Sequence, residues 1–300
     1  MSVIEGRIHN SVGGSYAVFT QDGMLLCRAR GLFRRQGITP LVGDLVRVER
    51  IDEKEGYIQE ILPRKNALAR PPLANLDQLF LLCSTAQPRP NLRLLDTLIA
   101  VAELSDIEPV IVFTKCDLAD GGELAEIYKA FRCFTLGFGA GGKNAVPTGD
   151  VKGIRALFKG KNSAFCGNTG VGKSTLLNRI APELELATDA ISLKLGRGRH
   201  TTRHVEFYPA EGGWVADTPG FSALEPLEQQ ALTKDNLAEG FREFTPYFGE
   251  CRFLDCAHVK DSGCAVVKAV KAGEIPRTRH ESYCSLYEAL KNRKEWEVTS

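Results

Sequence analysis

A glycine-rich segment at residues 167–174, GNTGVGKS, has the residue types and spacing of a phosphate-binding loop. Glycines let backbone N–H groups surround an anion, and the N-terminus of a following helix adds to the attraction. Lys173 is placed to reach the β- and γ-phosphates, and Ser174 to ligate magnesium. A strand pattern precedes the segment and a helical pattern follows it, so we predict a nucleoside triphosphate site rather than a plain turn. Its residues are Gly167, Asn168, Thr169, Gly170, Val171, Gly172, Lys173, Ser174 and Thr175.

A magnesium carboxylate is the best interpretation of Asp217, in the segment VADTPGF (215–221). It ends an apolar strand pattern downstream of the phosphate loop, where a second magnesium carboxylate is usual, here expected to act through water. The amide of Gly220 can then contact the γ-phosphate. The pattern D-x-P-G alone is a common turn, and its position after a phosphate loop favours the magnesium interpretation.

The segment Thr114-Lys115-Cys116-Asp117 matches a guanine-recognition signature and follows the apolar pattern EPVIVF. A carboxylate at the carboxyl edge of a parallel sheet lies where ligands bind. Asp117 can accept hydrogen bonds from N1–H and the exocyclic amine of guanine, whereas adenine lacks this pair of donors. The stem of Lys115 can cover the base. We therefore predict that Thr114, Lys115 and Asp117 bind guanine; an ATP-dependent P-loop protein with an accidental match is the alternative.

The order of these motifs is unusual. In an ordinary GTPase the phosphate loop precedes the base reader, but here residues 114–117 precede residues 167–174. A candidate first switch at about 196–204 and a second at 217–220 come later in the chain. Because a site is assembled in space, joining the usual termini and cutting after the second switch is tolerable when those termini lie close together. The order indicates a circularly permuted GTPase domain.

A separate cluster of possible metal ligands consists of Cys251, Cys256, His258 and Cys264. Three thiolates and one imidazole form a closed tetrahedral set suited to structural zinc. The spacing differs from common zinc fingers, so buried thiols without a metal are the alternative. The other cysteines are expected to be core or surface thiols; they are Cys27, Cys83, Cys116, Cys133, Cys166 and Cys284.

Strand and helix patterns explain how the chain positions these groups. Alternation of the two indicates a parallel sheet in an α/β domain, with strands predicted at 76–84, 108–115, 163–168 and 212–220 and helices at 92–105 and 173–181. Short strands separated by turn signals precede it, at 15–20, 24–30, 44–51 and 55–62. They predict a small OB-type barrel, with an SH3-like barrel or a sandwich fragment as alternatives.

Composition limits the kind of protein. The 300 residues suggest two or three domains, and a net charge of +1 gives no global basic field for nucleic acid. No apolar run reaches the roughly 18 residues of a membrane helix, and the first residues lack a secretion-signal pattern. Nine scattered cysteines fit reduced thiols. We expect a cytoplasmic monomer that contacts no membrane.

Taken together, these motifs resemble the ribosome small-subunit-dependent GTPase family (RsgA, also called YjeQ). The likeness covers nearly the whole chain and includes ARPPLANLDQ, GRGRHTT and DTPGF. It implies an OB-fold RNA-binding domain at 1–68, a circularly permuted GTPase domain at 73–228 and a small, mainly helical zinc-binding domain at 229–300. Pro71-Pro72 lies in the predicted linker. It also implies GTP hydrolysis to GDP and phosphate, stimulated by the small ribosomal subunit during late maturation, with one zinc ion per chain and magnesium with GTP.

The resemblance assigns further residues. It implies that Thr201 or Thr202, with Thr202 favoured, is the magnesium-linked threonine of the first switch, and His200 fits the family pattern GRHTT. Phe221 stands where related GTPases often carry a water-orienting glutamine, so slow intrinsic hydrolysis is expected, with a donor from His200, His204 or the ribosome. Contacts to ribosomal RNA are predicted for two basic groups: Arg28, Arg30, Arg34 and Arg35, and Lys291, Arg293 and Lys294.

Two features depart from the family pattern. The base reader begins with Thr114 where asparagine is usual, and the Ser-Ala pair that should back the base is not evident in residues 135–150. Both departures concern how tightly the base is held.

A non-catalytic RNA-binding module that uses nucleotide only as a ligand is a further alternative.

Overall fold

The structure is a computed structural model that describes residues 3–35, 37–69, 71–139, 148–180, 205–217, 232–260 and 262–292, with only the backbone at residues 32, 34 and 217. The chain divides into two units. The first comprises Met1–Leu79, Lys152–Cys166 and Lys173–Ser222, and the second comprises Phe80–Val151, Gly167–Gly172 and Ala223–Ser300.

The described strands are β1 (Val3–Val12), β2 (Ser15–Thr20), β3 (Gly23–Ala29), β4 (Leu45–Arg50), β5 (Glu55–Ile61), β6 (Ala67–Leu68), β7 (Leu73–Ala74), β8 (Gln78–Ser84), β9 (Glu108–Thr114), β10 (Arg132–Thr135), β11 (Asn162–Cys166), β12 (Glu206–Ala210) and β13 (Gly213–Asp217). The described α-helices are α1 (Gly31–Arg35), α2 (Leu92–Leu104), α3 (Gly122–Ile127), α4 (Val151–Phe158), α5 (Lys173–Ile180), α6 (Ala265–Ala272) and α7 (Arg277–Lys291). Two 3₁₀ helices, Leu237–Gly240 and Arg242–Tyr247, precede α6.

A closed barrel of five strands forms the N-terminal part of the first unit. Neighbours follow the order β1-β2-β3-β5-β4, and β4 pairs back onto β1. All of these pairs are antiparallel except β3–β5. Alternate residues point inward, and Val18, Val46, Val48 and Ile58 are fully buried. The predicted OB-type barrel is confirmed, with a long first strand that closes it.

The described residues of the segment predicted as a linker belong to the first unit and are hydrogen-bonded within it. β6 and β7 form a short antiparallel pair on either side of Pro71-Pro72. Asn66 and Leu76 exchange two hydrogen bonds, from Nδ2 to the carbonyl at 2.7 Å and from the backbone N–H to Oδ1 at 2.9 Å. A β-carbon at Gly43 would lie 2.3 Å from the Ala74 carbonyl oxygen, so only glycine permits this approach.

The rest of the first unit contains the strands on either side of the phosphate loop in the chain. β11 pairs with β13 in parallel, β13 pairs with β12 in antiparallel fashion, and β12 meets β1 at Asn10 and Glu206. Ser163, Ala164, Phe165 and Cys166 of β11 are buried, as expected for a strand covered on both faces.

The second unit contains the strands that carry the predicted base reader. β10 and β9 are parallel, and β8 is the next neighbour of β9. β8 is buried throughout its length and β9 almost so. Helix α2 buries the stretch from Leu95 to Ala102. Among the described residues, no helix combines the length and apolar character needed to cross a membrane.

Candidate functional site

The base reader begins where β9 ends, and its first side chain bonds to the phosphate loop. Thr114 is fully buried, and its hydroxyl donates to the Val171 carbonyl oxygen at 2.6 Å. Val171 is itself buried within the glycine-rich segment. A short polar residue at this position therefore ties the end of β9 to the phosphate loop, although the sequence pattern favours asparagine.

Lys115 occupies a constrained turn. Its φ is +61°, a left-handed backbone that is uncommon for a residue with a β-carbon. The Thr85 hydroxyl lies 3.1 Å from the carbonyl oxygens of both Thr114 and Lys115, and the Thr85 amide donates to the Thr114 carbonyl at 2.9 Å. The Lys115 ammonium donates to the Gln87 carbonyl oxygen. These contacts fix the direction in which the lysine stem leaves the strand.

The Asp117 carboxylate is at the surface, where a base can reach it. Its Oδ1 accepts a hydrogen bond from the backbone N–H of Phe138 at 3.1 Å. The neighbouring Gly137 packs closely: a β-carbon there would lie 2.6 Å from Thr148 Oγ1 and 2.9 Å from the Asp117 nitrogen. The segment after β10 thus lies directly against the carboxylate predicted to read the base.

Glycines give the phosphate loop its backbone. Gly167, Gly170 and Gly172 have φ values of +153°, +78° and +102°. A β-carbon at Gly167 would lie 2.5 Å from the Leu82 carbonyl oxygen, so a larger residue cannot be accommodated without movement. Helix α5 begins at Lys173 directly after the loop. The strand-loop-helix context predicted for a triphosphate site is present.

Several predicted residues lie outside the described part of the chain. These are His200, Thr201, Thr202, His204, Gly220 and Phe221. Asp217 ends β13 as predicted, but its side chain is not described. Residues 140–147, within the segment where a Ser-Ala pair would be expected, and the basic residues Arg293 and Lys294 are likewise outside it.

The four predicted metal ligands converge. One donor atom from each of Cys251, Cys256, His258 and Cys264 lies within 4.8 Å of all the others. His258 Nδ1 is 3.6 Å from the sulfurs of Cys251 and Cys264, which are 3.9 Å apart. Tetrahedral zinc with its usual bond lengths needs sulfurs about 3.8 Å apart and sulfur–nitrogen distances of about 3.6 Å. The cluster could therefore hold a metal ion of this kind.

Backbone groups around the cluster suit thiolate ligands. The amide of Ala265 points to Cys251 Sγ at 3.3 Å and that of Val267 to Cys264 Sγ at 3.4 Å. Burial raises the pKa of the Cys264 thiol above its usual value, so a bound cation would be needed to keep that sulfur ionised at neutral pH. Helix α7 supports the segment that carries the ligands. The Tyr283 hydroxyl donates to the Ala257 carbonyl oxygen at 2.8 Å, and His280 Nε2 lies 2.8 Å from the His258 carbonyl oxygen.

Cysteines outside the cluster are free thiols, as predicted. Burial raises the pKa of Cys27 and of Cys83 to about 11, and that of Cys133 to about 12. These side chains stay protonated at neutral pH and are poor ligands or nucleophiles.

Comparison with known proteins decides the family. The sequence model described as "RsgA GTPase" matches residues 61–226, and that described as "RsgA N-terminal domain" matches residues 5–58. A protein of Caldanaerobacter subterraneus subsp. tengcongensis, named small ribosomal subunit biogenesis GTPase RsgA, is 45% identical over 296 residues, with 98% of each chain covered. The chain belongs to the RsgA GTPase family. A Bacillus subtilis protein of the same name is 40% identical, with 97% of this chain and 98% of the relative covered.

Solved structures agree with membership of the RsgA GTPase family. A crystal structure of YloQ, described as a circularly permuted GTPase, is 35% identical with a TM-score of 0.75, covering 98% of this chain and 96% of the other. A crystal structure of YjeQ from Thermotoga maritima is 31% identical with a TM-score of 0.80, covering 98% and 100%. The resemblance and the circular permutation inferred from motif order are confirmed, and the chain is a GTP hydrolase.

Three residues near the predicted sites make contacts that the sequence patterns do not indicate. Thr85 and Phe138 contact the base reader, and Arg279 is a fully buried arginine on α7. Of the three, only Phe138 has a recognisable sequence signal, because it is an aromatic residue beside Gly137 just after a strand. Thr85 and Arg279 are ordinary residues in the sequence, and their roles depend on distant partners.

Proposed function

We propose that the chain acts on the small ribosomal subunit as a late assembly factor, hydrolysing GTP to GDP and phosphate when bound there. The names of its relatives support this partner. The observation that best supports a single nucleotide site is the 2.6 Å hydrogen bond from Thr114 to the Val171 carbonyl. It joins the base reader to the phosphate loop despite the permuted order, so one nucleotide can span both.

The proposed roles follow from the chemistry of each group. Backbone N–H groups of the phosphate loop and the ammonium of Lys173 neutralise the phosphates. Ser174, Thr202 and Asp217 offer oxygen atoms, which magnesium prefers, and magnesium would supply charge neutralisation between the β- and γ-phosphates. Asp117 and Lys115 hold the base. His200 is the proposed donor to the attacking water, because Phe221 cannot hydrogen-bond to it.

A single zinc ion is the metal proposed for the Cys251, Cys256, His258 and Cys264 set. The donor set and the interatomic distances support this choice, since three thiolates and an imidazole suit zinc better than a hard cation. With all four positions filled by protein, the ion would stabilise the fold and take no part in hydrolysis.

Ribosomal RNA is the proposed partner of the barrel and the zinc-binding region. Arg28 of β3, Arg35 of α1 and Lys291 at the end of α7 are exposed, which suits phosphate contacts. Arg30 is also exposed but donates to Glu49 at 2.8 Å, so RNA would have to compete with that pair. Arg34, Arg293 and Lys294 are proposed contacts from their basic character alone.

The proposed domains are a barrel at 1–68, a GTPase domain at 73–228 and a zinc-binding domain at 229–300. We propose that the chain acts as a monomer in the cytoplasm, where bacterial ribosomal subunits assemble.

Co-sedimentation with purified ribosomal subunits tests the proposal. The full chain should pellet with small subunits in a non-hydrolysable GTP analogue, and much less with GDP or with large subunits. Equal recovery with both subunits, or recovery independent of nucleotide, would count against a GTP-gated small-subunit factor.

A further inference from the structure

Phe138 lies at a position that connects the two halves of the nucleotide site. Its backbone N–H donates to Asp117 Oδ1 at 3.1 Å. Its ring edge, at Cε2, is 3.9 Å from the place where a β-carbon would be on Gly172 of the phosphate loop. One residue therefore touches the base-reading carboxylate through its backbone and approaches the phosphate loop with its side chain.

The backbone beside Phe138 leaves little freedom in this placement. Gly137 is paired with Thr148 by two backbone hydrogen bonds, of 3.1 and 2.8 Å. A β-carbon at Gly137 would lie 2.9 Å from both the nitrogen and the β-carbon of Asp117. Gly137 packs against Asp117 and is hydrogen-bonded to Thr148. The backbone from which the Phe138 side chain extends is therefore held in place.

A nucleotide bound by both motifs would lie near the Phe138 ring, because Phe138 approaches both motifs. With its base on Asp117 and its phosphates in the loop, the nucleoside would lie between Asp117 and Gly172, the two residues that Phe138 approaches. The ring is only half-buried and carries no charge, so it suits the π-face of a base or the apolar face of a ribose rather than a phosphate.

We propose that Phe138 is a nucleoside-contacting residue that takes the place of the Ser-Ala pair that is not evident in residues 135–150. Its N–H orients the Asp117 carboxylate, and its ring forms an apolar wall for the guanosine. This inference rests on the proposed guanine-nucleotide site and names a residue of that site. Aromatic contact does not depend on which base is present, so Phe138 adds affinity while Asp117 selects guanine.

Titration of the full chain with GDP tests the assignment. The affinities of F138A for GDP and for GTP should both fall about tenfold. F138W retains an aromatic face, so its affinities should stay within about threefold of those of wild type. In F138W, the added tryptophan should also change its fluorescence on GDP binding beyond any change in the wild-type chain. The matched control is F253A, which removes a phenylalanine that is 49% exposed in the cysteine cluster region.

Inorganic triphosphate, competed against labelled GDP, separates a nucleoside contact from support of the loop. It should bind wild type and F138A equally, because it fills the phosphate loop alone. An equal loss of triphosphate and GDP binding in F138A, wild-type GDP binding by F138A, or failure of F138W to restore binding would each overturn the assignment. A wild-type chain that binds no guanine nucleotide would instead overturn the proposed function on which it rests.

Discussion

At the scale of residues, Thr114 and Asp117 have different surroundings, and the proposed recognition of guanine assigns them different roles. Thr114 is buried, and the described contacts of its hydroxyl are with protein carbonyl oxygens, that of Val171 at 2.6 Å and that of Cys83 at 3.5 Å. Asp117 is exposed and presents its carboxylate to a ligand. Their substitution should therefore affect binding in different ways.

Asp117→Asn should lower GTP affinity by roughly tenfold to a hundredfold and weaken the preference for GTP over ATP, because an amide offers the wrong donor to guanine N1–H. Thr114→Val, the matched variant, should lower affinity by about two- to tenfold and leave that preference unchanged, since it removes one hydrogen bond within the protein. Both affinities are measurable by calorimetry. An unchanged preference in Asp117→Asn would place the base reader elsewhere.

At the scale of elements, a buried ionic cluster attaches helix α7 to helix α2. Arg279 donates to Asp96 Oδ1 at 2.6 Å and to Glu243 at 2.7 Å, and Tyr128 also donates to Asp96 Oδ1, at 2.7 Å. Burial lowers the pKa of Arg279, but the two carboxylates raise it more, so the net pKa lies above its ordinary value and the guanidinium stays charged. The ring of Phe241 faces the guanidinium at 4.6 Å.

Arg279→Met should destabilise the second unit by about 3–5 kcal/mol, because it leaves two buried carboxylates without their cation. Arg277→Met is the matched control: its side chain is 85% exposed and its ion pair among the described residues is with Glu281, one turn along α7, so little change is expected. Urea denaturation followed by circular dichroism measures both. Equal stability of the two variants would show that the buried cluster contributes no more than the surface pair.

Cys256→Ser should lose the metal and unfold the region around residues 251–264 while nucleotide binding persists, because structural zinc supplies folding free energy directly. The control, Cys284→Ser, changes a cysteine outside the ligand set and should keep one zinc per chain. Metal analysis and GTPase assays on the same preparations measure this. Full zinc content in Cys256→Ser would refute the ligand assignment; loss of zinc with full stimulation by small subunits would refute a coupling between metal region and hydrolysis.

Local sequence patterns predict the elements whose residues interact mainly with near neighbours in the sequence. The strands before Asp117 and Gly167 and the helix after Lys173 are where apolar periodicity and glycine spacing place them. The ligand cluster was also predictable, because its four residues lie within one short segment. Arg279 could not be predicted, since its partner Asp96 is far away in sequence and an isolated arginine on a helix usually faces water. The sequence pattern does not predict β1 as a strand, because the pairing of β1 with both β2 and β4 depends on closure of the barrel.

At the scale of the whole molecule, the permuted order places a different part of the chain after the second switch. Among the elements that the structure describes, β13 is followed in the sequence by two 3₁₀ helices, the metal-binding region and two α-helices, and none of them is a strand. A response of Gly220 to the γ-phosphate could therefore pass along the chain to that region. The central claim is that one guanine-nucleotide site, assembled from motifs in permuted order, hydrolyses GTP in response to the small ribosomal subunit.

Single-turnover release of phosphate from GTP, with and without purified small subunits, tests this claim most directly. The wild-type chain should hydrolyse GTP slowly alone and much faster with small subunits, and ATP should not replace GTP. Lys173→Ala, which removes the charge opposite the β- and γ-phosphates, should show no stimulation while remaining folded. Stimulated hydrolysis of ATP as fast as of GTP, or wild-type turnover by a folded Lys173→Ala variant, would contradict the claim.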